Sequence, residues 1–211
     1  EESSTAEYPI NWSSNTDSST KLQFVTDIDG NVYRTVVLGT QNWMAENLKV
    51  TKYRNGDNIT NITTNSDWNS DISGAYGVYG NDATTYLDSY GLLYNWYAVD
   101  NSSGRYICPE GWHVPTKDEY NDLITDLGGF SNAFLKMRET GTEHWTSELA
   151  GTSNSSGFTL LGNGFRIYNS GNFMNIKRYS YMWTATHSGS NSAYYLSNAS
   201  SFSLVSKKNG F

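Results

Sequence analysis

Two periods of apolar residues organise this chain. Residues 22–38, LQFVTDIDGNVYRTVVL, alternate apolar and polar side chains around Asp29-Gly30, a dipeptide suited to a type I′ turn. That pattern predicts two strands joined as a hairpin. The following QNWMAENLKVTKY continues as extended chain. A helical period then appears twice. Tyr120, Leu123, Ile124 and Leu127 fall at i, i+3, i+4 and i+7, one apolar stripe with a polar opposite face. Thr116 and Glu119 form a capping box ahead of it, and Gly128-Gly129 supplies a left-handed stop. Leu92, Leu93, Trp96 and Tyr97 give a second stripe of two turns, so two main helices are predicted. Residues 55–89 read as a long polar insertion in which GVYGNDATTY is an ordered surface loop. From Gly157 onward, short strands are expected around Phe158, Phe165, Trp183 and Tyr194 to Leu196, with Trp183, Ala193, Tyr194 and Leu196 in the core.

Composition narrows the class. The 211 residues fit one domain, residues 22–211, behind a polar Ser/Thr-rich arm, 1–21, in which only Tyr8, Ile10 and Trp12 offer docking side chains. Seven Trp and sixteen Tyr against 37% hydrophobic residues predict a core of few, large side chains. Nineteen Gly and 17% charged residues point to a loop-rich body. A net charge of −7 with scattered Lys and Arg excludes a phosphate-binding stripe, so no nucleic-acid partner is expected. No run is long enough to span a bilayer.

Four segments carry a family signature: CPEGWHVPTKDEYNDLITDLGG from Cys108 to Gly129, DIDGNVYRTVVLGTQNWMAENLKVTKYRNGD at 27–57, YGLLYNWYAV at 90–99 and GFTLLGNGFR at 157–166. Together they resemble the Fibrobacter succinogenes major paralogous domain family, over Thr26 to Phe211. Members look like relatives of the formylglycine-generating-enzyme and C-type-lectin-like group, where a similar VPT turn opens a helix. The implied fold is α+β and loop-rich, two main helices on short twisted antiparallel strands. It implies no function by itself. The resemblance also implies a second Cys beyond the position of Phe211. Cys108, the lone cysteine of the chain, reads as a free buried thiol in preference to a redox group. The cysteine pair through which the formylglycine-generating enzyme works is absent, so a non-catalytic protein is expected.

Candidate chemistry is sparse. His113, His144 and His187 show no metal-ligand spacing, which speaks against zinc. His113 reads as a backbone-bonding residue of its turn. His144 beside Glu143 is a better acid/base pair, but adjacent residues rarely converge, and a solvated loop is the simpler reading. The carboxylate pairs Asp27/Asp29, Asp118/Glu119 and Asp122/Asp126 have structural explanations in a turn, a helix start and a polar helix face. Asp27, Asp29 and Asn31 offer oxygens at alternate positions and make calcium the one cofactor considered, although the Glu that closes an EF-hand loop is missing. The triplets through which C-type lectins bind sugar by calcium are absent as well.

A binding face is expected instead in the C-terminal segment, where Tyr168, Asn169, Asn172, Tyr179, Tyr181, His187, Asn191, Asn198 and Phe202 stand among Ser and Gly. Tyr supplies rigid amphipathic contact area, and Asn and Ser supply adaptable hydrogen bonds. The same composition also builds ordinary strands and turns. The fold resemblance adds that such a segment is where retroelement-diversified binding proteins vary. Three function classes therefore compete: a surface adhesion module for a glycan or protein ligand, a structural subunit of a bacterial surface assembly, and an uncharacterised hydrolase. The acidic arm, the lack of a start Met and a family abundant in exported proteins of Bacteroidetes-type bacteria point to the cell surface or exterior, with a lipid anchor upstream of Glu1.

Overall fold

The first alternating run folds as predicted, with one difference at its turn. Strands β1 (Gln23–Thr26) and β2 (Val32–Leu38) pair antiparallel, and β3 (Gln41–Met44) adds to the far edge of β2. The turn is a three-residue loop rather than a two-residue type I′ turn. Gly30 N–H donates to Asp27 O at 3.0 Å, Asp27 N–H donates to Asn31 O at 3.0 Å, and Gly30 takes φ +86°. The cause is Asp27, whose Oδ1 accepts the N–H groups of Asp29 and Asn31 at 3.0 and 2.9 Å and so closes the longer loop. This computed structural model describes residues 23–198, 202–207 and 209–211, without the side chains of Phe202, Leu204 and Ser206. The predicted arm with Tyr8, Ile10 and Trp12 lies outside the described residues.

The supposed insertion is ordered structure. It holds β4 (Thr60–Asn61), α1 (Asn65–Ser70), β5 (Ala75–Gly77) and α2 (Ala83–Tyr90). Thr64 caps α1 by accepting from Asp67 N–H, and Asp82 caps α2 by accepting from Thr85 N–H. Trp68, fully buried, anchors α1. The stripe at 92–97 is not one helix. Leu93–Tyr94 forms β6, and only Trp96–Val99 turns as α3. Gly91 at φ +68° ends α2 ahead of β6 and the Asn95 cap separates β6 from α3, and Leu92, Leu93 and Tyr94 between them are buried, where periodicity cannot tell strand from helix.

The long helix α4 (Lys117–Asp126) carries the predicted capping box and buries Tyr120 and Leu123. Its end is a Schellman motif, with Gly129 N–H donating to Ile124 O and Gly128 N–H to Thr125 O. A further helix, α5 (Phe130–Met137), begins at once behind the glycine stop and turns Phe134 and Met137 inward. The remainder is β7 (Asn163–Arg166), β8 (Phe173–Ile176), β9 (Tyr181–Ser188), β10 (Ser192–Ser197) and β11 (Phe202–Ser206). Phe158 is buried outside any strand, and Tyr194 is half-buried under Lys117 rather than in the core.

Among the described residues the fold is thus mixed α/β and loop-rich, with five α-helices and four small sheets. The predicted count of two helices is corrected. So is the expectation of antiparallel strands throughout, because β4 and β5 pair parallel. Two apolar clusters fill the interior. One gathers Tyr94, Trp96, Trp183 and Phe211, and the other gathers Trp43, Tyr120, Leu123, Phe134, Trp145 and Phe158. Large aromatic side chains dominate both, as the composition requires. Burying each contributes roughly 1.5–3 kcal/mol or more against an exposed reference.

Candidate functional site

The CPEGWHVP turn is clamped from below by Arg54. Its guanidinium donates to Cys108 O at 3.0 and 2.9 Å, to Pro109 O at 2.7 Å and to Trp112 O at 2.9 Å. A single planar fork thereby holds the loop's carbonyls inward and turns Trp112 and His113 outward. There they face β3. Between them lies an open cleft of about 330 Å³, lined by Gln41, Asn42, Trp43, Trp112, His113 and Glu119. Trp43 is held by Tyr120 and Phe158, with ring centroids 5.2 and 6.0 Å away. Two polar atoms of the lining, Trp43 Nε1 and Gln41 Oε1, are buried with no hydrogen-bond partner among the described residues. Native interiors rarely leave such buried polar atoms unpaired.

One wall of the cleft is charged. His113 Nε2 lies 2.7 Å from Glu119 Oε1, while Glu119 Oε2 accepts from the backbone N–H and hydroxyl of Thr116 at 2.7 and 2.9 Å. Burial works to raise the Glu119 pKa, but the bonds from Thr116 and His113 outweigh it and hold the carboxyl below its usual range. His113 thus bonds a helix-capping carboxylate, not the backbone of its own turn. The sign of the linkage follows from the lowered pKa. Stability from ionised Glu119 is complete above the unfolded Glu value of about 4.3 and is lost as pH falls through the lower folded value. Glu119→Gln keeps the cap's acceptor without the titration. The wild type is therefore expected to lose melting temperature more steeply than Glu119→Gln between pH 5 and pH 3, and equal slopes in thermal melts would refute the assignment.

The hydroxyl beside this pair, that of Thr116, is engaged in the helix cap, donating to Glu119 Oε2 at 2.9 Å and accepting from Glu119 N–H at 3.2 Å. Cys108 lies under the turn, buried, and burial pushes its thiol up to about 12 against the pull of Arg54. It stays a neutral thiol, which fits the expectation from its single occurrence.

The residues expected to form a C-terminal face fall into three groups. Tyr168, Asn169 and Asn172 are exposed on the loop between β7 and β8, where Tyr168 N–H donates to Asn209 Oδ1. Tyr179, Tyr181 and Asn198 cluster at the start of β9. Two of these are committed to the fold. Tyr181 accepts from Asn175 Nδ2 and stacks on Phe211 at 5.3 Å, and Asn198 Oδ1 accepts from Ser180 N–H. His187 and Asn191 are exposed at the β9–β10 tip, roughly 20 Å of strand from Tyr181. Phe202 pairs with Leu196 through its backbone, and its side chain lies outside the described residues.

In the first hairpin, Asp27 Oδ2 accepts from Asn31 Nδ2 and the Tyr33 hydroxyl at 2.9 and 2.6 Å, in addition to the turn bonds at Oδ1. Asp29 turns the other way, to the Thr51 hydroxyl and Lys52 Nζ at 2.8 and 3.2 Å. Asp27 and Asn31 brace the hairpin, Asp29 ties it to Thr51 and Lys52, and protein donors meet both aspartate carboxylates. His144 also departs from expectation. It is shielded rather than solvated, and its partner is Glu139 at 2.8 Å, not the adjacent Glu143 alone.

Against known families, the description Fibrobacter succinogenes major domain matches residues 36–209. The chain belongs to that family. The matched span of this Fibrobacter succinogenes major domain contains every cleft residue from Gln41 to Glu119 and leaves out the Asp27–Asn31 turn. No curated protein and no solved structure matches the chain. No helix among the described residues is long and apolar enough to cross a membrane.

Proposed function

We propose that this domain is a ligand-binding module, displayed on a bacterial cell surface or secreted, whose cleft between β3 and the Cys108–Pro115 turn takes a glycan. One observation carries the reading: two Trp residues, two side-chain amides and a His–Glu pair wall a single open cleft. Its volume of about 330 Å³ lies within the ~300–1,000 Å³ of small-molecule sites. Trp112 is half-exposed and offers an apolar ring face for the C–H side of a pyranose. Gln41, Asn42, Glu119 and His113 supply both donors and acceptors for hydroxyls. We further assign the fold to the C-type-lectin-like and formylglycine-generating-enzyme-like group. The VPT turn opening a boxed helix over small sheets supports that assignment, and the export habit of the family supports the location.

A glycan array probed with the wild type, Trp112→Ala and Asn42→Ala tests the site. Binding is expected to fall tenfold or more for Trp112→Ala, as for a truncated aromatic hot spot. Asn42 is exposed, so its variant keeps the fold and is expected to weaken binding several-fold. Binding unchanged in both but lost in Tyr168→Ala and Asn172→Ala would move the site to the β7–β8 loop and overturn the cleft. An array with no signal above background overturns the glycan.

A further inference from the structure

Glu139, Glu143 and His144 sit in the long connection between α5 and β7, and their ligand atoms all lie within 4.8 Å of one another. His144 Nδ1 is 2.8 and 3.0 Å from the two oxygens of Glu139. Both side chains are shielded, 16% and 19% exposed, while Glu143 closes the group from the solvent side. The backbone of Glu139 is fixed by its N–H bond to Leu160 O at 3.1 Å, so this is a positioned set rather than a floppy loop.

A second observation comes from a different element. Tyr90, the last residue of α2, is only 5% exposed and meets the His144 ring edge-on at 5.2 Å and 85°. Its hydroxyl is buried and has no hydrogen-bond partner among the described residues. The Tyr90 ring thus lies against the His144 end of the cluster, and its hydroxyl is a buried donor with nothing to donate to among the described residues.

We infer that Glu139, Glu143 and His144 form a site for one divalent metal ion of the zinc class, with the Tyr90 hydroxyl bonding a ligating carboxylate or a metal-bound water. Two carboxylates neutralise a dication, and the imidazole selects a borderline transition ion over calcium or magnesium. Three protein ligands leave a coordination position for water, and an orphaned donor beside it is the outer partner such sites require. Coordination through Nδ1 needs the neutral imidazole with its proton on Nε2, which replaces the present Glu139 contact. Bound metal would tie α2 to the α5–β7 connection. The site shares no residue with the cleft, so it stands or falls apart from the glycan reading.

The test is calorimetric titration of the chelator-treated full chain with zinc chloride, alongside thermal melts with and without zinc. One saturable equivalent and a zinc-dependent rise in melting temperature are expected. Glu143→Gln alters an exposed side chain and is expected to weaken zinc at least tenfold without changing the metal-free melt. Tyr90→Phe removes only the orphan hydroxyl and is expected to weaken zinc about tenfold by loss of the outer partner. Absence of saturable binding overturns the site, as does equal affinity in Glu143→Gln. Binding lost in His113→Ala instead, or calcium matching zinc at equal concentration, overturns it too.

Discussion

Replacing Arg166 with Met is expected to destabilise the fold by about 3–5 kcal/mol, the largest effect of any single side chain outside the apolar core. Arg166 is fully buried. Its guanidinium donates to the carbonyls of Ile62, Thr63, Thr64 and Gly171 and lies between the rings of Trp68 and Phe173, 4.3 and 4.9 Å from their centroids. No acidic partner neutralises it among the described residues; carbonyl dipoles and ring faces do that work. Burial lowers its pKa to about 10, so the group is still charged at neutral pH. Met fills comparable volume but takes away the donor to Ile62 O and Gly171 O, each a buried acceptor worth about 1–3 kcal/mol when unpaired, while Thr63 O and Thr64 O keep the Asn81 side-chain amide and the Trp68 N–H. Lys keeps the charge yet cannot fork, so Arg166→Lys is expected to recover less than half of the loss. At about 2–4 °C per kcal/mol for a chain of this size, Arg166→Met should melt on the order of 10 °C lower. A loss under about 1 kcal/mol in denaturant titration would show that desolvation of the guanidinium offsets its bonds.

Arg166 also marks what the sequence could and could not reveal. The α4 segment was legible because its signals are local. Thr116 and Glu119 are three residues apart, the stripe repeats every turn, and two glycines close it. The hairpin was legible for the same reason. Arg166 bonds Ile62 across 104 residues of chain, and nothing at either position announces the other. The small elements of residues 55–89 had readable caps in Thr64 with Asp67 and Asp82 with Thr85. They were obscured because the apolar content there is a few buried anchors such as Trp68, too sparse to set a period.

The candidate sites divide along the same line. The turn that identifies the family also forms one wall of the cleft, but the facing wall is β3, and a pair of tryptophans distant in sequence gives no spacing to detect. A visible hint existed in GTQNWM and PEGWH, where a Trp sits among polar residues at a turn. The metal set was half visible as Glu143-His144. Glu139 and Tyr90 completed it only through the path of the α5–β7 connection and the end of α2. Composition pointed to the Tyr- and Asn-rich C-terminal segment, yet composition is blind to pairing. Tyr181 and Asn198 carry the same side chains as a paratope and spend them on Phe211 and Ser180.

Gly164 provides the second large effect, and it tests the backbone rather than a side chain. It sits in β7 at φ +62°, where a Cβ would lie 2.5 Å from Met174 O, 2.8 Å from Ile176 N and 2.9 Å from Tyr79 Cε2. Two of those atoms are backbone of the partner strand β8, so no rotamer change relieves the contact. Gly164→Ala is expected to cost about 3 kcal/mol or more, combining ~1–2 kcal/mol for the left-handed conformation with ~1–3 kcal/mol of overpacking. Gly30 is the control. It has φ +86° but nothing within 4 Å of its ideal Cβ, so Gly30→Ala should show the conformational part alone, about 1–2 kcal/mol. The difference between the two variants in denaturant unfolding isolates the close approach of β7 and β8. Asn163, next to Gly164, exchanges two bonds with the Tyr181 backbone, so pushing β7 away from β8 also strains its hold on β9. Equal losses at Gly164 and Gly30 would mean that β8 yields freely, and the tight β7–β8 pairing would then not be a determinant of stability.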